Sequence, residues 1–310
     1  MNKKIVIVSL RLPDGGCVVL HALYKYLKEC GENVKMLYMS DFNYKSGRKF
    51  KFWLKNTCTF IKTGIKRIMK VKIPCDNYPI VDYKYKYTPF VGKNTIVIYP
   101  EIMFANPLHA KKVVRWLLFH NKQYKNESGK TIGYDKNDLF FTYRDVFNDP
   151  VLNPLCRTLY VTYFNLDLYK RKNYGKRNGN CYIVRKGCGR IDLPREFDGP
   201  VIDDMSEENK VRTFNECKYC ISYDTQTTYS SIAAMCGCIS IVIPEPGKSR
   251  EDYRTEYDKE YGVSFGFDES SIAEAIKTAP KIFYQYNDYN KSSLKNVEDF
   301  LSVCDAYFNT

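Results

Sequence analysis

Five serine and threonine hydroxyls fall within the seven residues from Thr225 to Ser231, directly after a short, apolar, β-prone run at Cys220–Tyr223. Hydroxyls at that density where a helix begins, next to the free N–H groups of its first turn, suit an anion such as phosphate. The residues concerned are Asp224, Thr225, Thr227, Thr228, Tyr229 and Ser230. An ordinary strand-to-helix turn capped by serine and threonine uses the same residues, and that alternative stays open from the sequence. A second constellation, Arg185-Lys186-Gly187, ends the apolar run that starts at Cys181. Cations at the end of one strand and a hydroxyl-rich turn at the end of another face each other if the two strands are near neighbours. Together they would make a clamp of converging cations and N–H dipoles suited to a phosphate.

Other candidate groups lie in the amino-terminal half. Asp14 precedes Gly15-Gly16 after the opening strand 4–10, Glu101 follows the buried strand 94–100, and His109 is expected at the start of a helix running through Val113, Val114, Leu117 and Leu118. Turns at the carboxyl ends of parallel strands are where open α/β sheets bind ligands. A tight glycine turn and a helix-start charge are the plain structural alternatives for Asp14 and Glu101. His21, in an apolar helical pattern, and His120, at a helix end, read as structural.

The elements that must hold these residues are alternating strands and helices. Residues 4–39 read as a βαβ unit with a Gly-Gly turn and without a GxGxxG pattern, so a dinucleotide reading is weak. Further strands are expected at 139–143 and 159–163, then a polar, basic inter-domain linker at 169–180. The carboxyl-terminal half reads as a strand from Cys181, one near 200–202, a helix over 206–217, the strand–turn–helix–strand unit of 219–243, a last strand at 262–267 and helices at 270–279 and 294–308. The small-residue helix from Ser231 is closed by Gly237, and Pro244 stops the next strand.

The run Cys181–Gly187, the turn from Asp224, the Thr227–Ser230 helix start and the helix closed by Gly237 resemble the carboxyl-terminal half of a GT-B glycosyltransferase, of the kind encoded with bacterial capsular and surface polysaccharide genes. The resemblance covers roughly the last 130 residues well and the amino-terminal half in outline. It implies an α/β chain of two Rossmann-like domains facing a cleft, expected here at 1–172 on the acceptor side and 173–310 for the nucleotide sugar. It also implies transfer of a sugar from a nucleotide-sugar donor to a glycan or lipid-linked glycan acceptor, with Arg185, Lys186, Gly187, Asp224, Thr225, Thr227, Thr228, Tyr229 and Ser230 on the donor. For an inverting reaction the general base comes from the amino-terminal wall, where Asp14 ranks ahead of Glu101 and His109. The glutamate pair of many retaining members is absent, and Asp224, Thr227 and Ser230 stand in that region. No metal or cofactor is expected, since Asp203-Asp204 is adjacent rather than alternating and reads as a solvated loop.

Charge and cysteine content narrow the setting. The formal charge is +13 overall, yet residues 1–180 hold 33 Lys/Arg against 13 Asp/Glu and residues 181–310 hold 15 against 22. The basic half points to an anionic partner. Lys45–Lys72 carries ten basic residues and no acidic one, with apolar residues at helical spacing, as expected of a basic amphipathic helix resting on anionic lipid or of a solvated face on a core helix. Nucleic acid is not expected, because no recognised nucleic-acid motif accompanies the basic run. Twelve cysteines in a chain this long read as small core residues, the 217, 220, 236 and 238 spacing lacking a clean zinc-knuckle form. The start is too short in apolar residues for a signal peptide, so the expected location is cytoplasmic, peripheral on the inner face of the membrane. Polyol-phosphate transfer, nucleotide-sugar 2-epimerisation by the same fold, and a basic nucleic-acid-binding protein are the alternatives.

Overall fold

The computed structural model describes residues 4–10, 15–39, 49–69, 91–103, 105–119, 134–253 and 261–308. Its contacts divide the chain into two compact units, Met1–Tyr163 with Asn290–Thr310, and Phe164–Tyr289.

The first unit is built on strands β1 (Lys4–Ser9), β2 (Asn33–Tyr38), β3 (Thr95–Pro100), β4 (Lys112–Leu117) and β5 (Leu139–Thr142), all parallel in the order β2-β1-β3-β4-β5. Helix α1 (Gly15–Glu29) connects β1 to β2, and α2 (Lys49–Ile68) follows β2. Both faces of this sheet are buried, as a parallel sheet requires. Ile5, Ile7, Ile96 and Ile98 enter one core with α1, while Val6, Val8, Val97 and Tyr99 enter the other with Phe52 of α2. The chain leaves β1 for β2 on one side and later returns to lay β3 on the other. That reversal makes the gap between the carboxyl ends of β1 and β3 a topological switch point.

The second unit repeats the logic. Strands β6 (Asn180–Ile183), β7 (Tyr219–Ser222), β8 (Ile239–Val242) and β9 (Val263–Phe265) are parallel and lie in sequence order, and Val201 bridges to Tyr182 on the free side of β6. Helices α3 (Glu207–Glu216) and α4 (Tyr229–Met235) make the crossovers, and α5 (Glu269–Thr278) follows β9. Since the chain visits Val201 on one side of β6 before crossing to β7 on the other, this sheet's switch point lies at the carboxyl ends of β6 and β7. Cys181, Cys217, Cys220, Cys236 and Cys238 are buried in its core, as small apolar residues are.

Four expectations are corrected. Residues 112–117 form strand β4, not a helix. The run VVRWL is continuously apolar apart from Arg115, whose guanidinium is buried against Asp138 at 2.8 Å, so spacing alone could not separate a buried strand from a buried helix. Residues 159–163 form no strand: only the Thr142–Thr158 bridge is made before the chain leaves the sheet. The segment 169–180 is not a free linker but part of the second unit's shell. Tyr169 is buried, the Asn215 side chain accepts from the Lys172 and Asn173 amides, and Arg177 donates to the carbonyls of Phe214 and Cys236. The division therefore falls at 163/164 rather than 172/173, and the carboxyl terminus does not stay with the second unit. Helix α6 (Lys281–Phe308) places Ile282 and Tyr286 in the second core and Val297, Phe300, Leu301 and Cys304 in the first.

Candidate functional site

In the second unit β6 stops at Ile183, and the chain tightens into a 3₁₀ turn over Arg185–Gly187. The Asp203 carboxylate holds this turn, accepting from the Val184 amide at 3.2 Å and the Arg185 amide at 2.6 Å. Asp203 is thus a turn anchor, where the sequence suggested a solvated loop. Arg185 sits at φ +32°, a left-handed conformation that non-glycine residues avoid. Gly187 explains why the turn can lie so close to β7: a Cβ there would stand 2.3 Å from the Tyr223 carbonyl oxygen. The two loops that the sequence set apart by nearly forty residues are therefore in contact. Arg185 and Lys186 are exposed on this edge, and the Arg185 guanidinium lies 5.6 Å from the centre of the Tyr229 ring.

The Asp224–Ser230 turn is more internally bonded than its composition suggests. Ser222 donates to the Asp224 carbonyl, Asp224 Oδ1 accepts from the Gln226 amide, and Thr227 Oγ1 accepts from the Tyr229 amide. Asp224 Oδ2 and Ser230 Oγ are buried and have no hydrogen-bond partner. Thr228 precedes α4 without capping it through its side chain, and Thr225 is half-buried in the same turn. Helix α4 has only seven residues, so its dipole is short, and the cations of the facing loop are the stronger source of positive potential here. Tyr229 is fixed from behind, because its hydroxyl donates to Glu207, which also pairs with Lys210 at 2.9 Å and accepts from Tyr169 at 2.7 Å. Burial, and then the Glu207 charge, push the Tyr229 phenol well above its ordinary pKa, so it stays protonated.

One residue of this edge was missed. Arg190 donates to the carbonyls of Tyr223, Ile243 and Pro244 and pairs with Asp192, tying the loops after β7 and β8 together. The hydrogen bond from Arg190 depresses the Asp192 carboxyl. An arginine and an aspartate two positions apart in a polar stretch gave no signal of carbonyls waiting fifty residues away.

In the first unit, the switch point between β1 and β3 holds a cavity of about 510 Å³. Its walls include Leu10, Gly15, Gly16, Val19, Ile102, Leu118, Phe119 and Tyr143, and Glu101 lines it. Glu101 is placed by β3 and held there: its amide donates to the Trp116 carbonyl, its Oε2 accepts from the Leu118 amide at 3.0 Å, and Tyr134 donates to its carbonyl. Only 5 % of Glu101 is exposed. Asp14 lies outside the described residues, although Gly15 and Gly16 beside it line the same cavity. His109 is not brought to this edge. With 112–117 a strand, it occupies an exposed turn at φ +49°, three residues before β4 begins, on the side of the sheet where strands start. His21 is buried between the Cys17 carbonyl and the Tyr38 hydroxyl, a structural position.

No protein-family model and no curated protein matches the chain. Among solved structures, the glycotransferase of kitacinnamycin is similar at 9 % identity and a TM-score of 0.40, over 99 % of this chain and 100 % of that one. An alpha-glucosyltransferase solved with UDP and a DNA 13-mer is similar at 11 % and 0.40, over 96 % and 94 %. The glycosyltransferase SnogD from Streptomyces nogalater is similar at 9 % and 0.38, over 98 % and 100 %. The fold class itself is carried by the sheets: two parallel α/β units of Rossmann type, each with its switch point at a carboxyl edge.

Proposed function

We propose that this protein is a glycosyltransferase that takes a sugar from a nucleotide-sugar donor, held by the second unit without a metal, to a hydroxyl-bearing acceptor presented at the first. The observation that carries the reading is the contact of the Arg185–Gly187 turn with the end of β7, which gathers two exposed cations beside the Asp224–Ser230 turn at a switch point. Arg185 and Lys186 offset the charge that develops on the leaving diphosphate, and Tyr229, kept protonated, offers a ring and a fixed wall. Thr225, Thr227, Thr228 and Ser230 shape the turn. On the other side of the reaction Glu101, anchored by the Leu118 amide in the first unit's cavity, is the general base that takes the proton of the acceptor hydroxyl, with Asp14, which precedes Gly15 in the sequence, its rival.

The acceptor in this proposal is a lipid-linked surface glycan, met on the cytoplasmic face of the membrane. No described helix is long and apolar enough to cross a membrane. Helix α2 supports a peripheral mode instead. Phe50, Leu54, Ile61, Ile65 and Ile68 are all more than half exposed and fall within an arc of about 60° at 3.6 residues per turn, flanked by exposed Lys51, Lys55, Lys62 and Lys66. Phe52 and Asn56 take the opposite side into the protein.

Calorimetric titration with uridine, guanosine, cytidine, adenosine and thymidine diphosphates in EDTA tests the donor site. At least one should bind, and Lys186→Ala should weaken it by about 10- to 100-fold, the range of a lost charge-assisted hydrogen bond. Binding that needs a divalent cation, or that ignores Lys186, removes the clamp.

A further inference from the structure

Five buried cysteines gather in the core of the second unit, and the donor edge uses none of them. Backbone carbonyls fix where their sulfurs lie. Asn180 of β6 and Tyr219 of β7 stand opposite each other in the parallel register. The Cys181 sulfur donates to the Tyr219 carbonyl and the Cys217 sulfur to the Asn180 carbonyl, each at 3.5 Å, so both sulfurs sit at that one rung. Cys238 donates to the Cys217 carbonyl at 3.4 Å, and Cys220 stands directly opposite Cys181. The Cys181 thiol is within hydrogen-bonding reach of Cys217, Cys220 and Cys238, and Cys217 acts on it most strongly.

A cation adjoins the cluster. Arg177 donates to the carbonyls of Asn173, Phe214, Cys217 and Cys236, its Nε is buried without a partner, and among the described residues no carboxylate pairs with it. A guanidinium met only by neutral carbonyls leaves positive charge beside the thiols, the setting that favours a thiolate. The Cys181 hydrogen bond and, more weakly, the Arg177 charge lower the Cys217 thiol below its ordinary value, against the opposing pull of burial and Glu216. Cys181 is raised by its hydrogen bonds with the three neighbouring thiols and by burial, so it keeps its proton. Cys217 is also the outermost of the five, at 8 % exposed against 0 to 5 % for the others. One sulfur is thus the nucleophile and the other its resolving partner.

We propose that Cys217 and Cys181 form an oxidisable dithiol, which hydrogen peroxide closes to a disulfide and a dithiol reductant reopens. The Cys217 thiolate attacks the peroxide, the O–O bond breaks, and a sulfenic acid forms on Cys217 as hydroxide leaves. The Cys181 sulfur then attacks the Cys217 sulfur: the S–S bond forms, the S–O bond breaks, and the departing hydroxide takes the Cys181 proton as water. The two sulfurs together lose two electrons, and the peroxide ends as two molecules of water. The bond ties the residue that ends α3 to β6 and closes a loop carrying the Arg185–Gly187 turn and the Asp203 that anchors it. A cross-link of that kind restricts the unfolded chain and so favours the folded unit. It does not depend on what the donor edge binds.

The test is peptide mapping of the full chain after treatment with hydrogen peroxide and blocking of the remaining thiols. The expected product is a Cys181–Cys217 disulfide that dithiothreitol abolishes, with Cys220, Cys236 and Cys238 recovered as blocked free thiols. The oxidised protein should unfold several degrees higher than the reduced one. Cys217→Ala, small enough for the core to close round it, should leave Cys181 reduced and remove that gain. If this variant does not fold, the map and the unfolding midpoints of the unmodified protein decide by themselves. Oxidation confined to the exposed Cys58, Cys156 and Cys188, an intramolecular disulfide other than Cys181–Cys217, or a midpoint that oxidation fails to raise overturns the proposal.

Discussion

A single missing Cβ decides the geometry of the candidate donor site. Gly187 lets the Arg185–Lys186 turn rest on the Tyr223 carbonyl, at a separation no side chain allows. Gly187→Ala should therefore push the turn off β7, destabilising the protein by about 1–3 kcal/mol as overpacking does and weakening nucleotide binding at the same time. Urea unfolding together with nucleotide titration checks both. A variant of native stability and native affinity would mean the turn can move without cost. The places of Arg185, Lys186 and Asp224 beyond the carboxyl ends of β6 and β7 were legible because each follows an apolar run that had to be a strand. What was not legible is which polar atoms were already used. Thr227 spends its oxygen on the Tyr229 amide, and Asp203 is occupied by the turn it anchors, because those bonds depend on backbone directions that composition does not encode.

At the scale of elements, the strands of both sheets were readable from short β-branched runs bounded by Gly, Pro and polar residues, and β4 was the exception. Its residues satisfy a helical and a strand pattern equally, and only the sheet, by pairing Lys112–Trp116 with Ile96–Pro100, settles the matter. That one change moves His109 away from Glu101. The linker failed for a related reason: polar, basic sequence reads as solvated, but Arg177 finds its partners in carbonyls contributed by α3 and the end of α4. Helix α2 was legible as a basic helix with apolar residues at helical spacing, and its role can be measured. Reversing Lys62 and Lys66 to Glu should abolish co-sedimentation with phosphatidylserine-containing vesicles, and rising salt should do the same to the unmodified protein, since exposed charges are screened over about 10 Å at 0.1 M. Neutral vesicles should bind poorly. Co-sedimentation indifferent to charge and salt would make α2 an ordinary solvated helix.

Over the whole molecule, the proposed chemistry is divided between two sheets of the same kind. One carboxyl edge offers a carboxylate in an apolar cavity, the other offers cations beside a polar turn. Transfer of a sugar from a diphosphate to an alcohol needs both, a base for the incoming hydroxyl and positive charge for the leaving group. The measurement that bears most directly on this is release of nucleoside diphosphate from a panel of nucleotide sugars in EDTA, with an alkyl glycoside standing in for the lipid-linked glycan acceptor, by the unmodified protein, Lys186→Ala and Glu101→Gln. The account predicts acceptor-dependent release by the unmodified protein. It predicts weakened donor binding in Lys186→Ala, and turnover lowered by about 10² to 10⁴ in Glu101→Gln with donor affinity retained. Release that requires a metal, or turnover that survives in both variants, would contradict it.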